Sequence, residues 1–215
     1  MKLWQRFFLE NPLATFEPDS EDIQGWRSHS TAFKHVLDLV RPKLIVEVGS
    51  WKGASAVHMA ALAPDAEILC IDTWLGSVEA YYPLVVKQSI HTSLRAKHGW
   101  PQLYYTFASN IVRHVGRERV CPLPLPSSVA AAVLKRKALL ADVVYIDGSH
   151  EYADVKRDLE GYWPLVRPGG VLFGDDVDQP QVLRAVEEMF SHDTHYFYLM
   201  PEGKYVVRKS MEGIE

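Results

Sequence analysis

Apolar positions along the chain alternate between two spacings. Phe33, Val36, Leu37 and Val40 fall at helical spacing within 28–40, and Pro42 ends that segment. A short continuous run, Leu44-Ile-Val-Glu-Val-Gly49, follows and predicts a buried strand. Small apolar residues from Ala54 to Ala63 predict a helix packed closely on a sheet, broken by Pro64 and Asp65. Glu67–Asp72 predicts the next strand. The same grammar continues downstream. Helices are expected over 103–115, 128–137, 152–166 and 181–190, and strands over 119–123, 141–147 and 171–175, with a tight turn at Pro168-Gly169-Gly170. Residues 195–200 and 204–208 alternate β-prone residues around Pro201-Glu202-Gly203 and predict a closing antiparallel hairpin.

Helix and strand in alternation imply crossover connections and a mostly parallel sheet covered on both faces, a doubly wound α/β fold. The 215 residues suit one domain. Within it, residues 1–27 form an N-terminal extension. Residues 74–102, rich in aromatics and histidine, form a lid or substrate-binding insertion. The amphipathic start, Met1–Glu10, lacks the long apolar run of a signal peptide and is expected to be a helix packing on the core or on a second subunit, which makes a homodimer an expectation.

Composition narrows the classes. Hydrophobic residues make up 47% and charged residues 23%, as in a globular chain. A net charge of -4 argues against a nucleic-acid partner. No run is long enough to span a bilayer. Cys70 and Cys121 form neither a disulfide framework nor a zinc site, so a cytoplasmic setting is expected.

The chemistry gathers at the strand ends. In open parallel sheets ligands sit at the carboxyl edge, and here four predicted strands deliver Glu47 and Gly49, Asp72, Asp147, and Asp175 with Asp176 to that edge. In Glu47-Val-Gly49-Ser-Trp-Lys-Gly53 the glycines permit a sharp turn and close approach of a ligand to the main chain, ahead of a helix N-terminus. The middle glycine of a dinucleotide fingerprint is missing, which disfavours a pyrophosphate and a nicotinamide dehydrogenase. Asp72 is placed to accept two ribose hydroxyls. Asp147, Asp175 and Asp176 would form an oxygen-rich pocket suited to a hard divalent cation such as Mg²⁺. A buried lysine or arginine neutralising them in place of an ion would overturn the metal chemistry even if the fold stands.

These residues carry a resemblance. Glu47 to Gly53 resembles the first motif of class I S-adenosylmethionine-dependent methyltransferases. Ile71–Gly76, Asp147-Gly-Ser-His150 and Arg167-Pro-Gly-Gly170 to Asp176 resemble the metal-dependent sugar O-methyltransferases of macrolide pathways and the cephalosporin-hydroxylase-like proteins. The resemblance implies a Rossmann-like methyltransferase fold with a seven-stranded sheet. It implies that Glu47, Gly49, Ser50, Gly53 and Ser55 cradle the methionine end of S-adenosylmethionine, that Asp72 holds the ribose, and that Trp74 flanks the adenine. Ser127 or Ser128 would contact the adenine, although Pro124-Leu-Pro-Ser-Ser128 lacks the usual acid. Asp147 would border the donor and, with Asp175 and Asp176, bind Mg²⁺.

His150 would be the general base, since an imidazole with an ordinary pKa of ~6.5 suits proton removal near neutrality. The implied reaction is methyl transfer to a hydroxyl of a small acceptor, a sugar or glycoside. Metal-independent, catechol-type and hydroxylase-like relatives stay open. The aromatics Trp74, Tyr81, Tyr82, Trp100 and Tyr152 suit sugar stacking or plain packing, and His91 and His98 lie in the insertion.

Overall fold

The computed structural model describes residues 1–19, 21–77, 81, 94–190 and 196–211. Seven strands form one sheet: β1 (Leu44–Val48), β2 (Glu67–Asp72), β3 (Val120–Pro124), β4 (Ala141–Ile146), β5 (Val166–Gly174), β6 (Tyr196–Met200) and β7 (Lys204–Arg208). Their order is β3-β2-β1-β4-β5-β7-β6. The first five strands pair in parallel, and β7 pairs antiparallel with both β5 and β6. The expected mostly parallel sheet with a closing hairpin is therefore present.

Side-chain alternation along each strand builds two apolar layers. Val46, Leu69, Val144 and Leu172 join one core, and Ile45, Ile68, Val143 and Val171 join the other. Helices α1 (Thr31–Val40), α2 (Ala54–Leu62) and α3 (Leu103–His114) cover the second layer. Helices α4 (Ser127–Arg136), α5 (Tyr152–Tyr162) and α6 (Pro180–Met189) cover the first.

Three expectations change. The Met1–Glu10 helix is only a 3-10 turn at Leu3–Arg6, anchored by the Leu3 N–H donating to Glu67 Oε1 at 2.8 Å. Only Leu3 of that turn is buried, too little packing to offset the cost of nucleating a longer helix. The helix expected over 152–166 stops at Tyr162, and a short 3-10 turn (Trp163–Leu165) containing Pro164 follows. Arg167–Gly170 is not a turn before the strand but a bulge within it. β5 begins at Val166, which pairs with Ala141, and the register then jumps so that Val143 faces Val171. The Arg167 guanidinium binds Asp142 Oδ1, while Asp142 Oδ2 accepts the Lys43 and Leu44 N–H groups at 2.7 Å each.

Of the expected insertion, 78–80 and 82–93 lie outside the described residues, and with them Tyr82 and His91; so do His192 and His195. Among the described residues no helix is long and apolar enough to cross a membrane.

The carboxyl ends of β1 and β4 are in backbone contact. The Asp147 N–H donates to the Val48 carbonyl at 2.8 Å, and Gly49 adopts φ +86°. A Cβ at position 49 would meet the Asp147 carbonyl oxygen at 2.0 Å. The glycine is thus required by the neighbouring strand, before any ligand enters. Gly49→Ala is expected to destabilise the fold by about 3 kcal/mol, from left-handed strain plus separation of the strand ends. Urea denaturation checks this, and a loss under 1 kcal/mol would contradict it.

Candidate active site

A cleft of about 750 Å³ opens along the carboxyl edge of the sheet. Gly49, Ser50 and Trp51 of the β1–α2 loop line it, with Asp72 and Thr73 at the end of β2. Leu125–Ser128 line it from the β3–α4 connection, Asp147–Glu151 from the end of β4, and Asp175 and Asp176 from the end of β5. Asp72 ties two loops together: Oδ2 accepts the Trp51 N–H at 2.8 Å and Oδ1 the Trp74 N–H at 2.7 Å. Burial pushes the Asp72 carboxyl up, against several backbone N–H groups that pull it down.

The first loop is built differently from expectation in part. Glu47 is fully buried beneath it, and the Ser55 hydroxyl donates to Glu47 Oε1 at 2.5 Å. Burial pushes the Glu47 carboxyl up, with the nearby Ser50, Ser55 and Cys70 groups opposing. Glu47 Oε2 and Ser50 Oγ are both buried without a hydrogen bond of normal geometry, and Ser50 lines the cleft. Gly53 (φ +84°) caps α2 and turns its open Cα face toward Phe107 and Ile111, so its absent side chain accommodates α3.

Trp74 also serves the core. It is 2% exposed, packs on Phe107 and Tyr104, and donates its indole N–H to the Trp51 carbonyl at 2.8 Å. The residue expected to flank the adenine thus packs against α3. Of the other aromatics proposed for stacking, Tyr152 sits in an exposed cluster with Glu188 and Arg184, and Trp100 is exposed.

Asp147, Asp175 and Asp176 do meet. One oxygen from each lies within 4.8 Å of the others. The same three residues and His150 line a recess of about 10 Å³, the size of one water or one small ion. His150 Nε2 lies 2.9 Å from Asp176 Oδ2. Burial raises the Asp176 carboxyl, but the His150 hydrogen bond and the His150 and Arg27 charges outweigh it, and the net direction is down. Asp176 holds φ +65°, a strained backbone of the kind found where side-chain aim matters.

The cluster contains two cations that sequence reasoning missed. Lys204, at the start of β7, is fully buried; it pairs with Asp175 Oδ2 and donates to Tyr145 Oη at 3.0 Å. Tyr145 in turn donates to Asp147 Oδ2 at 2.8 Å. Arg27 reaches in from the N-terminal extension, 3.5 Å from Asp175 and 3.8 Å from Asp176, while its stronger contacts go to Asp178 at 2.6 and 3.0 Å. Contrary to the expectation of an unneutralised trio, part of the charge is balanced within the protein.

The balance is incomplete. Asp147, Asp175, Asp176 and Asp178 share the two permanent charges of Lys204 and Arg27. Burial first, and Asp175 second, push Asp147 up to about 7. Oxygens that all lie within 4.8 Å of one another fall inside the widest ligand–ligand span around a hard cation, roughly 4 to 5 Å for bonds of 2.0–2.6 Å. Lys204 and Tyr145 each hold one oxygen of these carboxylates, contacts of the kind that outer partners make to ligating carboxylates. The residues thus fit one divalent ion.

Residues 22–27 approach the cleft as a strap. Asp22 pairs with the buried Lys52 at 2.6 Å, Gln24 accepts the Trp51 indole N–H at 3.1 Å, and Trp26 lies 5.9 Å from Trp51 between ring centroids. Asn110 fastens it by donating to the Asp22 and Lys52 carbonyls at 3.0 and 2.8 Å.

This sheet order, with ligand loops at the carboxyl edge and an antiparallel β7, defines the fold of class I methyltransferases. The chain belongs to the methyltransferase-domain family, whose model matches residues 46–177. Among solved structures it is similar to the calicheamicin methyltransferase CalS11 (TM-score 0.59, 18% identity, 82% of this chain and 77% of that one). It is similar to the O-methyltransferase NovP (0.58, 16%, 85% and 80%). It is also similar to an O-methyltransferase from Bacillus cereus in complex with SAH (0.57, 15%, 89% and 84%). A curated relative, uncharacterized protein y4gI of Sinorhizobium fredii, is 28% identical over 169 residues; these are 76% of this chain but only 16% of that protein.

The strained charge balance has a measurable consequence. A carboxyl whose folded pKa lies at about 7 favours the fold when protonated. Its contribution is complete below the unfolded pKa of ~3.9 and is lost as pH rises to 7. Asp147→Asn, measured without divalent ions, is therefore expected to raise stability little at pH 4 and by about 1–2 kcal/mol at pH 8, since the group is only partly buried. Thermal unfolding across that range checks it, and a gain that does not grow with pH would contradict it.

Proposed function

We propose that the chain is an S-adenosylmethionine-dependent O-methyltransferase acting on a hydroxyl of a sugar or glycoside, with one divalent cation of the Mg²⁺ type at Asp147, Asp175 and Asp176. The observation that carries the reading is His150, hydrogen-bonded to Asp176 and facing the carboxylate recess at the mouth of the cleft. The donor reading is supported by the family, by the acid-lined cleft that suits a sulfonium cation, and by Ser50 Oγ, a buried hydroxyl in the cleft lining without a hydrogen bond of normal geometry. The sugar class is supported by CalS11, described as a TDP-rhamnose 3'-O-methyltransferase, at the level of fold.

The roles of the residues follow from their positions. Asp72 and the β1–α2 loop would hold the donor's ribose and amino-acid ends, in the same cleft that Asp147, His150, Asp175 and Asp176 line. Asp176 orients the His150 ring, and His150 takes the proton from the acceptor hydroxyl as its oxygen bonds to the methyl carbon, whose bond to the sulfonium sulfur breaks with the electron pair going to the departing S-adenosylhomocysteine. Positioning of donor and acceptor in one cleft supplies much of the acceleration. When bound, the ion would lower the pKa of the acceptor hydroxyl.

A second reading rests on Lys204 and Arg27. If these two cations complete the charge balance, Asp175 and Asp176 serve only to orient His150, and transfer needs no ion.

The experiment is a methyl-transfer assay against a panel of sugars, glycosides and catechols, with wild type and His150→Gln, before and after chelation. His150→Gln is expected to lower kcat by about 10²–10⁴-fold with the affinity for S-adenosylhomocysteine unchanged. Chelation is expected to abolish turnover and Mg²⁺ to restore it. Full activity after chelation selects the second reading, and undiminished activity of His150→Gln removes the base.

A further inference from the structure

Outside the residues that line the cleft, two histidines face each other where the strap joins the body of the domain. His29 follows Arg27 by two residues, just ahead of α1, and His58 lies midway along α2. Their Nδ1 atoms stand 3.1 Å apart. The ring centroids are 4.5 Å apart and the planes are inclined at 73°. Rings sharing a straight N–H···N bond of this length would hold their centroids roughly 1 Å further apart. At least one ring is therefore turned off the line joining the two nitrogens. His29 is exposed, while His58 is half-buried and packs edge-on to the buried Phe33 of α1, 5.6 Å between centroids.

Two imidazole nitrogens at this spacing suit one borderline cation. On a tetrahedral Zn²⁺ with bonds of 2.0–2.1 Å, two ligand nitrogens stand roughly 3.3 Å apart. The observed pair needs to open by only about 0.2 Å. Ligation takes the neutral ring. Burial first, and the His29 charge second, hold His58 below the usual histidine range, which favours that form. With no ion between them, one Nδ1 carries a proton and donates it to the other. On binding, that proton passes to Nε2 of its own ring by exchange with water, so neither imidazole changes charge and both Nδ1 lone pairs are free to ligate. Among the described residues no third His, Cys, Asp or Glu gathers with them, which leaves the remaining positions to water.

We propose that His29 and His58 form a second metal site, for a borderline divalent cation of the Zn²⁺ type, that pins the strap to α2. Imidazole ligands select this class against Mg²⁺, which prefers the oxygens of the carboxylate cluster. The strap is already fastened at its far end by the Asp22–Lys52 pair and by Asn110. An ion at His29 and His58 fastens the end that carries Trp26 and Arg27 to the cleft.

Calorimetric titration of Zn²⁺ at pH 7, with excess Mg²⁺ present, tests this on wild type, His29→Gln, His58→Gln and Asp176→Ala. Wild type is expected to show a saturable micromolar site that weakens at least about 10-fold in each histidine variant and is unchanged in Asp176→Ala. Zn²⁺ is also expected to raise the thermal unfolding midpoint of wild type and of neither histidine variant. Unfolding without Zn²⁺ verifies the folds, and His29→Gln, at an exposed position, keeps the test open if His58→Gln does not fold. Absence of the site in wild type would overturn the proposal. So would affinity within about threefold of wild type in His29→Gln, since one imidazole would then suffice.

Discussion

The site depends on the crowding of like charge where β4 and β5 end. Asp147, Asp175 and Asp176 bring oxygens within 4.8 Å of one another at the mouth of an apolar core. Carboxylates so placed repel, and they stay together only because other elements hold them. Lys204 crosses from β7 to bind Asp175, Tyr145 bridges Lys204 to Asp147, and His150 and Arg27 meet Asp176. The terminal hairpin and the N-terminal extension, both far from β4 in sequence, are thus part of the site. The charge left over after these contacts distinguishes the cluster from a set of ordinary salt bridges.

The backbone is arranged around the same demand. Gly49 is a glycine because the Asp147 carbonyl leaves no room for a side chain, so the β1 loop and the β4 carboxylate keep a fixed spacing. Trp51, Trp74 and Asp176 hold positive φ values, and all three lie in the loops at the carboxyl edge of the sheet. Such strain persists where surrounding structure over-determines it. Here the backbone N–H bonds to Asp72 and the Trp74 indole bond to the Trp51 carbonyl supply that surplus.

Much of this was legible in the sequence. Strands β1, β2 and β4 are continuous apolar runs, and an acid at the end of each announced the carboxyl edge. Asp147, Asp175 and Asp176 were found that way, and His150 by its distance of one short turn from Asp147. Lys204 was not found, because a lysine opening a hairpin strand reads as an ordinary edge-strand charge; its burial arises only when β7 inserts between β5 and β6. Trp74 and Gly53 were assigned to the ligand because they stand in the right motifs, but a left-handed turn sends the indole into the core and α3 occupies the space beside the glycine. Arg27 needed tertiary structure, since nothing local marks an exposed-looking arginine as part of a cleft. The bulge at Arg167–Gly170 was read as a turn because glycine and proline mark both.

The central claim is that the carboxylate cluster keeps enough uncompensated charge to bind one divalent ion despite Lys204 and Arg27. Titration with Mn²⁺ as a paramagnetic probe, at pH 8 and with S-adenosylhomocysteine present, tests it directly. The account predicts one saturable site per chain, displaced by Mg²⁺ and lost in Asp176→Ala. Mn²⁺ that stays free in solution, or a signal unaffected by Asp176→Ala, would contradict it.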